Sequence, residues 1–272
     1  MSQPNRLFPY GICIDDAPVD KVAQGFEYFE LPNALLCEPF SSNHIWNQTK
    51  ARITAPGRKF HSASHYLQFH GLVGNGAGYD REQHQFWAER SFRRMAEVGV
   101  KVVGVYGAFF QKPDDKYDLV HAMDDAISSV NIMADAAEKY GMEIALEPMA
   151  KATSLFPRYL DGLAFCKATG RKSVKLMADL NYFLALNQDL EDILKAPDYC
   201  LNVHIQGDGG AQPNVGNRTP IFERLFKILK EINYAHVVTS ACPWVSTKGG
   251  ELDWAYETQK TVEYLDSIME HL

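Results

Sequence analysis

The stretch DLVHAMDDAISSVNIMADAAEKYGMEIALEP, Asp118–Pro148, decides how this chain folds. Its first part sets Val120, Met123, Ile127, Val130 and Ala134 near a 3.6-residue spacing, which predicts a helix over Asp118–Tyr140. Gly141 stands where a helix ends, since glycine tolerates the left-handed backbone that a C-terminal cap needs. The run Glu143–Glu147 is then short and nearly all apolar, as in a strand covered on both faces, and Pro148 stops it.

Outward from this unit the same alternation repeats. Strands are predicted at Tyr10–Ile14, Tyr28–Leu31, Ser64–Phe69, Lys101–Tyr106, Val174–Asp179, Cys200–Gln206 and His236–Cys242, and further helices at Glu82–Glu97 and Asp253–Glu270. Gly99 closes the helix before the fourth strand as Gly141 does before the fifth. Strand–helix alternation with apolar strands means a parallel sheet covered by helices. About eight such units in 272 residues predict a (β/α)8 TIM barrel, a single α/β domain over residues 1–272. A doubly wound sheet would need a phosphate-binding glycine turn; GNGAG, Gly74–Gly78, lacks the downstream acidic partner and reads as a loop.

The composition is that of an ordinary globular protein, with 46% hydrophobic and 22% charged residues and a net charge of −7. The densest basic stretch, Arg90, Arg93 and Arg94, lies on a helix surface, which argues against a nucleic-acid partner. No apolar run is long enough to span a membrane. Five cysteines without a CxxC pair and no signal-peptide pattern fit a cytoplasmic protein.

In a β/α barrel the chemistry sits at the C-terminal ends of the strands. There MEIALEP ends on Glu147, SVKLMADLNYF places Asp179, and CLNVHIQGD places His204. A carboxylate closing an apolar strand is costly unless it is paired or bound to metal. Each residue alone has a plain structural reading: Glu147 as a hydrogen-bonded surface group, Asp179 as a helix N-cap, His204 as a core histidine. On three consecutive strand ends they could converge on one ion, with a donor set suited to Mn²⁺, Mg²⁺, Co²⁺ or Zn²⁺. His65, His70 and Tyr106, near the third and fourth strands, could bind hydroxyl groups. Lys151 could meet an anionic substrate, and Trp244 and Trp254 could line the mouth.

These segments together resemble the xylose isomerase-like barrels of the sugar phosphate isomerase/epimerase family, which includes ketose 3-epimerases, hydroxypyruvate isomerases and inosose dehydratases. The resemblance runs over nearly the whole chain, through GFEYFEL (Gly25–Leu31), GVKVVGVYG (Gly99–Gly107), ALEPMAKATS (Ala145–Ser154), LMADLNYF (Leu176–Phe183), and NVHIQGD with PNVG (Pro213–Gly216). It implies a metal held by Glu147, Asp179, His204 and a glutamate on the eighth strand. It also implies that the two glutamates exchange a proton beside a carbonyl through an enediolate. Self-association as dimer or tetramer is implied as well.

The fourth ligand is missing: the eighth strand, HVVTSACPW, carries Ala241 at the catalytic glutamate position. Either the chain is an inactivated variant or it is a divergent member with three protein ligands. Tyr182 stands where the family has a substrate-binding histidine, Thr153 replaces an acidic residue, and Gly210 and Ala211 stand near a usual basic position. These departures favour a bulkier, less charged ligand than a simple ketose. The expected activity is a metal-dependent isomerase or epimerase on a keto-sugar. The alternative is a lyase using the same proton abstraction for β-elimination, as in inosose dehydration or cleavage of 3-keto glycosides, including C-glycosides. An apurinic-type nuclease and a silent subunit are the remaining readings.

Overall fold

A computed structural model of the chain describes residues 6–13, 19–32, 41–55, 57, 59–67, 72–113 and 118–272. Eight parallel strands close on themselves in sequence order: β1 (Tyr10–Cys13), β2 (Phe26–Pro32), β3 (Phe60–Tyr66), β4 (Val102–Tyr106), β5 (Glu143–Glu147), β6 (Val174–Asp179), β7 (Cys200–Ile205) and β8 (Val238–Ala241). The helices outside are α1 (Asn43–Thr54), α2 (Arg81–Glu97), α3 (Leu119–Lys139), α4 (Tyr159–Ala168), α5 (Leu180–Ala185), α6 (Thr219–Glu231) and α7 (Trp254–Met269). This is the expected (β/α)8 TIM barrel. Among the described residues, no helix is long and apolar enough to cross a membrane.

Side-chain caps begin most helices. Ser42, Asp80, Asp118, Asp179 and Asp253 each accept a hydrogen bond from a backbone N–H in the first turn of the helix that follows. Gly99 and Gly141 adopt φ values of 92° and 68°, the left-handed geometry expected of them. The buried face of α3 takes in Val130 and Ala134 as expected, with Met123 and Ile127 partly buried against the core. It runs through Ala126, Ser129, Val130, Met133 and Ala137, while Val120 is 69% exposed. Small side chains let the helix lie close to the barrel, and hydrophobicity alone does not mark them.

The third strand also departs from expectation. It runs Phe60–Tyr66 rather than Ser64–Phe69, whose last two residues lie outside the described residues. Phe60 pairs with Phe29, and Ser62 pairs with both Glu30 and Val102. The polar letters of FHSAS hide it, because Ser62 and Ser64 are buried inside the barrel rather than in its oily outer layer. The GNGAG loop is stapled locally: Asn75 donates to the Gln111 carbonyl at 2.7 Å and accepts from its N–H at 2.8 Å. Deep in the barrel, Val102, Ala145, Met177 and Leu201 form a separate apolar cluster.

Candidate metal centre

The ends of β5, β6 and β7 bring Glu147, Asp179 and His204 together, with one ligand atom of each lying within 4.8 Å of the others. All three are buried, at 1%, 7% and 1% exposure. Asp179 and His204 are register partners across β6 and β7, so neighbouring hydrogen-bonded strands fix their approach. Asp179 is the helix N-cap that one of its readings expected, and its second oxygen faces the cluster. Its Oδ1 caps α5 by accepting from the Tyr182 N–H at 3.2 Å, and its Oδ2 accepts from Gln206 at 2.8 Å and lies 3.6 Å from His204 Nδ1.

Behind the imidazole stands a residue that sequence reasoning missed. Glu30, on β2, is 1% exposed and forms an ion pair with His204 Nε2 at 2.8 Å. Its other oxygen accepts from Ser62 at 2.6 Å and Asn202 at 3.0 Å. Burial alone would raise this carboxyl, but the imidazolium and these donors bring it down to about 2. Burial would likewise discharge His204, yet the Glu30 carboxylate and Asp179 hold it protonated well above the usual imidazole range. A signal for Glu30 was present: a glutamate inside the otherwise apolar run FEYFELP has to find a buried partner.

Glu147 has the opposite balance. Burial pushes its carboxyl up to about 8; His204 pulls it back, while Asp179 and Glu30 add repulsion. Its Oε2 is buried with no hydrogen-bond partner. An orphaned carboxylate oxygen beside a second carboxylate and a histidine braced at its far nitrogen fits a divalent cation. Glu30 would keep the Nε2 proton, leaving Nδ1 to face the ion.

These side chains line a cavity of about 560 Å³ at the C-terminal mouth of the barrel, together with His65, Tyr106, Tyr182, Trp244, Trp254 and Ala241. His65 reaches it through a break in β3, where the pairing shifts register between Ala63 and Tyr66 and His65 adopts φ 59°. Such a bulge re-aims a side chain, and here the ring lies edge-on to Tyr106 with centroids 4.9 Å apart. The phenols of Tyr106 and Tyr182 are hydrogen-bonded to each other, and burial raises both, so both stay protonated. Lys151 is exposed and is not among the residues lining this cavity. His70 lies outside the described residues. Gln206 and Asn181, which the sequence reading did not single out, also line the cavity. Arg218 holds both in place, donating to the Asn181 side chain at 2.8 Å and the Gln206 carbonyl at 2.9 Å.

A closed parallel barrel with buried Glu, Asp and His at its strand ends defines a class of α/β barrels with a candidate metal centre. The profile of the family described as xylose isomerase-like TIM barrel matches residues 21–268, and the chain belongs to that family. Among solved structures it is similar to a D-psicose 3-epimerase from Clostridium cellulolyticum H10 (19% identity, 97% of each chain, TM-score 0.70). It is similar also to a 3-keto-D-glucoside 4-epimerase from E. coli (18% identity, 96% of this chain and 99% of that one, TM-score 0.70). A third is the IolI protein with a binding zinc atom (14% identity, 94% of this chain and 95% of that one, TM-score 0.63). No curated protein matches the sequence significantly.

Proposed function

We propose that this protein is a divalent-metal-dependent enzyme that isomerises or epimerises a keto-sugar or sugar derivative through an enediolate. The observation that carries this reading is the buried Glu147–Asp179–His204 cluster, with the Glu147 Oε2 left unsatisfied by the protein. These three residues would hold the ion, taken here as Mn²⁺, with Mg²⁺, Co²⁺ or Zn²⁺ compatible with the same donors. When bound, such an ion supplies Lewis-acid polarisation of the substrate oxygens.

Glu147 is the group that takes the proton from the carbon next to the carbonyl. Bound to the ion, Glu147 would be ionised, as a base must be. Tyr106 and Tyr182, both protonated, donate hydrogen bonds to substrate oxygens. His65 and Trp244 bound the substrate on other sides, and Glu30 keeps His204 oriented. Lys151, exposed and not among the residues that line the cavity, has no part in this scheme. The substrate is a carbohydrate, and neither nucleic acid nor membrane is a partner. Cytoplasmic residence is part of this reading. Assembly as a homodimer or tetramer follows the family.

Ala241 favours a second reading, a lyase. With alanine on β8, no carboxylate stands there to return a proton to the opposite face. Glu147 would then remove the proton, the C–H electron pair would form the enolate, and its collapse would expel a β-substituent with the bonding pair. The leaving group would take a proton from a phenol or from water. If the chain is instead an inactivated variant, Ala241→Glu should restore turnover.

Incubating the Mn²⁺-loaded protein in D₂O with D-fructose, D-psicose, D-tagatose and 3-keto-glucosides tests all of this by NMR. Deuterium beside the carbonyl of recovered sugar is expected, reduced at least about 100-fold in Glu147→Gln. Release of a fragment selects the lyase. No exchange with any substrate and no retained metal would overturn the proposal.

A further inference from the structure

The cavity has two unlike walls. Toward β5, β6 and β7 stand Glu147, Asp179, His204, Tyr182 and Gln206, the last with a buried side-chain amide oxygen that has no hydrogen-bond partner. Toward β8 and α7 stand Ala241, Cys242, Pro243, Trp244 and Trp254, an uncharged and largely apolar surface. The two indoles lie 5.8 Å apart at 45°, and Trp244 is pinned by Phe26, edge-on at 6.0 Å. Trp244 also keeps a buried Nε1–H without a partner among the described residues.

Charge narrows the ligand further. Among the described residues, those that line this cavity include no lysine or arginine. Arg218, which braces the polar wall from behind, is engaged by Asp208 at 3.1 Å, Asn181 at 2.8 Å and the Gln206 carbonyl at 2.9 Å. Against this described lining a phosphorylated sugar would meet carboxylates without a guanidinium or ammonium to match it. A volume of about 560 Å³ is in the range of sites that bury drug-sized ligands, more than one monosaccharide ring needs. A free hexose at the polar wall would leave the indoles facing water. The missing side chain at Ala241 widens the cavity on that side.

The geometry points to an uncharged keto-sugar joined to a flat aromatic group, with the sugar at Glu147, Asp179 and His204 and the aromatic group against Trp244 and Trp254. This substrate class rests on the sugar-acting reading above and deepens it. Aromatic groups favour offset or tilted partners, and stacking adds to simple apolar burial.

The test measures binding of three probes to the full-length, Mn²⁺-loaded protein by calorimetry: phenyl 3-keto-β-D-glucoside, methyl 3-keto-β-D-glucoside and D-fructose 6-phosphate. The phenyl compound should bind about tenfold more tightly than the methyl compound, and the phosphate most weakly. Trp254→Ala should shrink the phenyl-to-methyl ratio toward one. Trp244→Phe, which keeps a ring against Phe26, should reduce it less. Because the wild-type comparison stands by itself, a variant that fails to fold does not decide the outcome. Equal phenyl and methyl affinities would mean that the indoles pack on the sugar ring itself, and would overturn the proposal. So would tightest binding of the phosphate, or no binding of either glucoside. Deuterium exchange on the same two glucosides separates the two levels. Exchange without a phenyl preference removes the substrate class and leaves the enzyme reading, whereas a phenyl preference without exchange does the reverse.

Discussion

His204 carries two relationships that would compete in water but cooperate when buried. Glu30 holds Nε2 at 2.8 Å, and Nδ1 is left facing Asp179 at 3.6 Å. A carboxylate behind a metal-binding imidazole fixes its tautomer and ring orientation, and its loss commonly weakens metal binding 10- to 100-fold. Glu30→Gln keeps the volume and the hydrogen bonds to neighbouring donors but removes the charge. It is expected to weaken Mn²⁺ binding about 10- to 100-fold in titration calorimetry. Unchanged affinity would make Glu30 a merely structural partner of Ser62 and Asn202.

Two elements do more than carry residues. In β3, the register shift places a non-glycine residue, His65, in left-handed backbone geometry beside Tyr106, and strained positions of this kind gather at functional sites. At the β6–α5 junction, a single side chain both starts a helix and faces the candidate metal. Substitutions can separate those duties. Asp179→Asn retains a good N-cap, so the metal-free protein should melt close to wild type while Mn²⁺ binding is lost. Asp179→Ala should lose both, with about 1 kcal/mol of additional destabilisation in thermal or urea unfolding. Equal melting of the two variants would show that the cap contributes nothing there.

For the molecule as a whole, Mn²⁺ should act as a stabilising ligand of the folded barrel. At a concentration about 100 times its dissociation constant it should add about 2.7 kcal/mol, raising Tm by roughly 5–10 °C, and EDTA should reverse the shift. The sign with pH follows from the protons held without metal. Glu147 sits near 8 and His204 well above its usual range, so binding must displace protons from both. The shift in Tm should therefore be larger at pH 8.5 than at pH 6.5; the opposite order would contradict this placement of protons. The barrel itself was legible in the sequence because strand–helix alternation and closing glycines are local signals written in neighbouring residues. Glu147, Asp179 and His204 were legible as polar ends of apolar strands for the same reason. The sequence did not show that Glu30 meets His204, 174 positions further along, nor the break that turns His65 inward. Nor did it show the division of the cavity into a carboxylate wall and a tryptophan wall. Closure of the sheet decides those features, because it brings β2 against β7 across the barrel and sets β8 beside β1, contacts that no local pattern encodes.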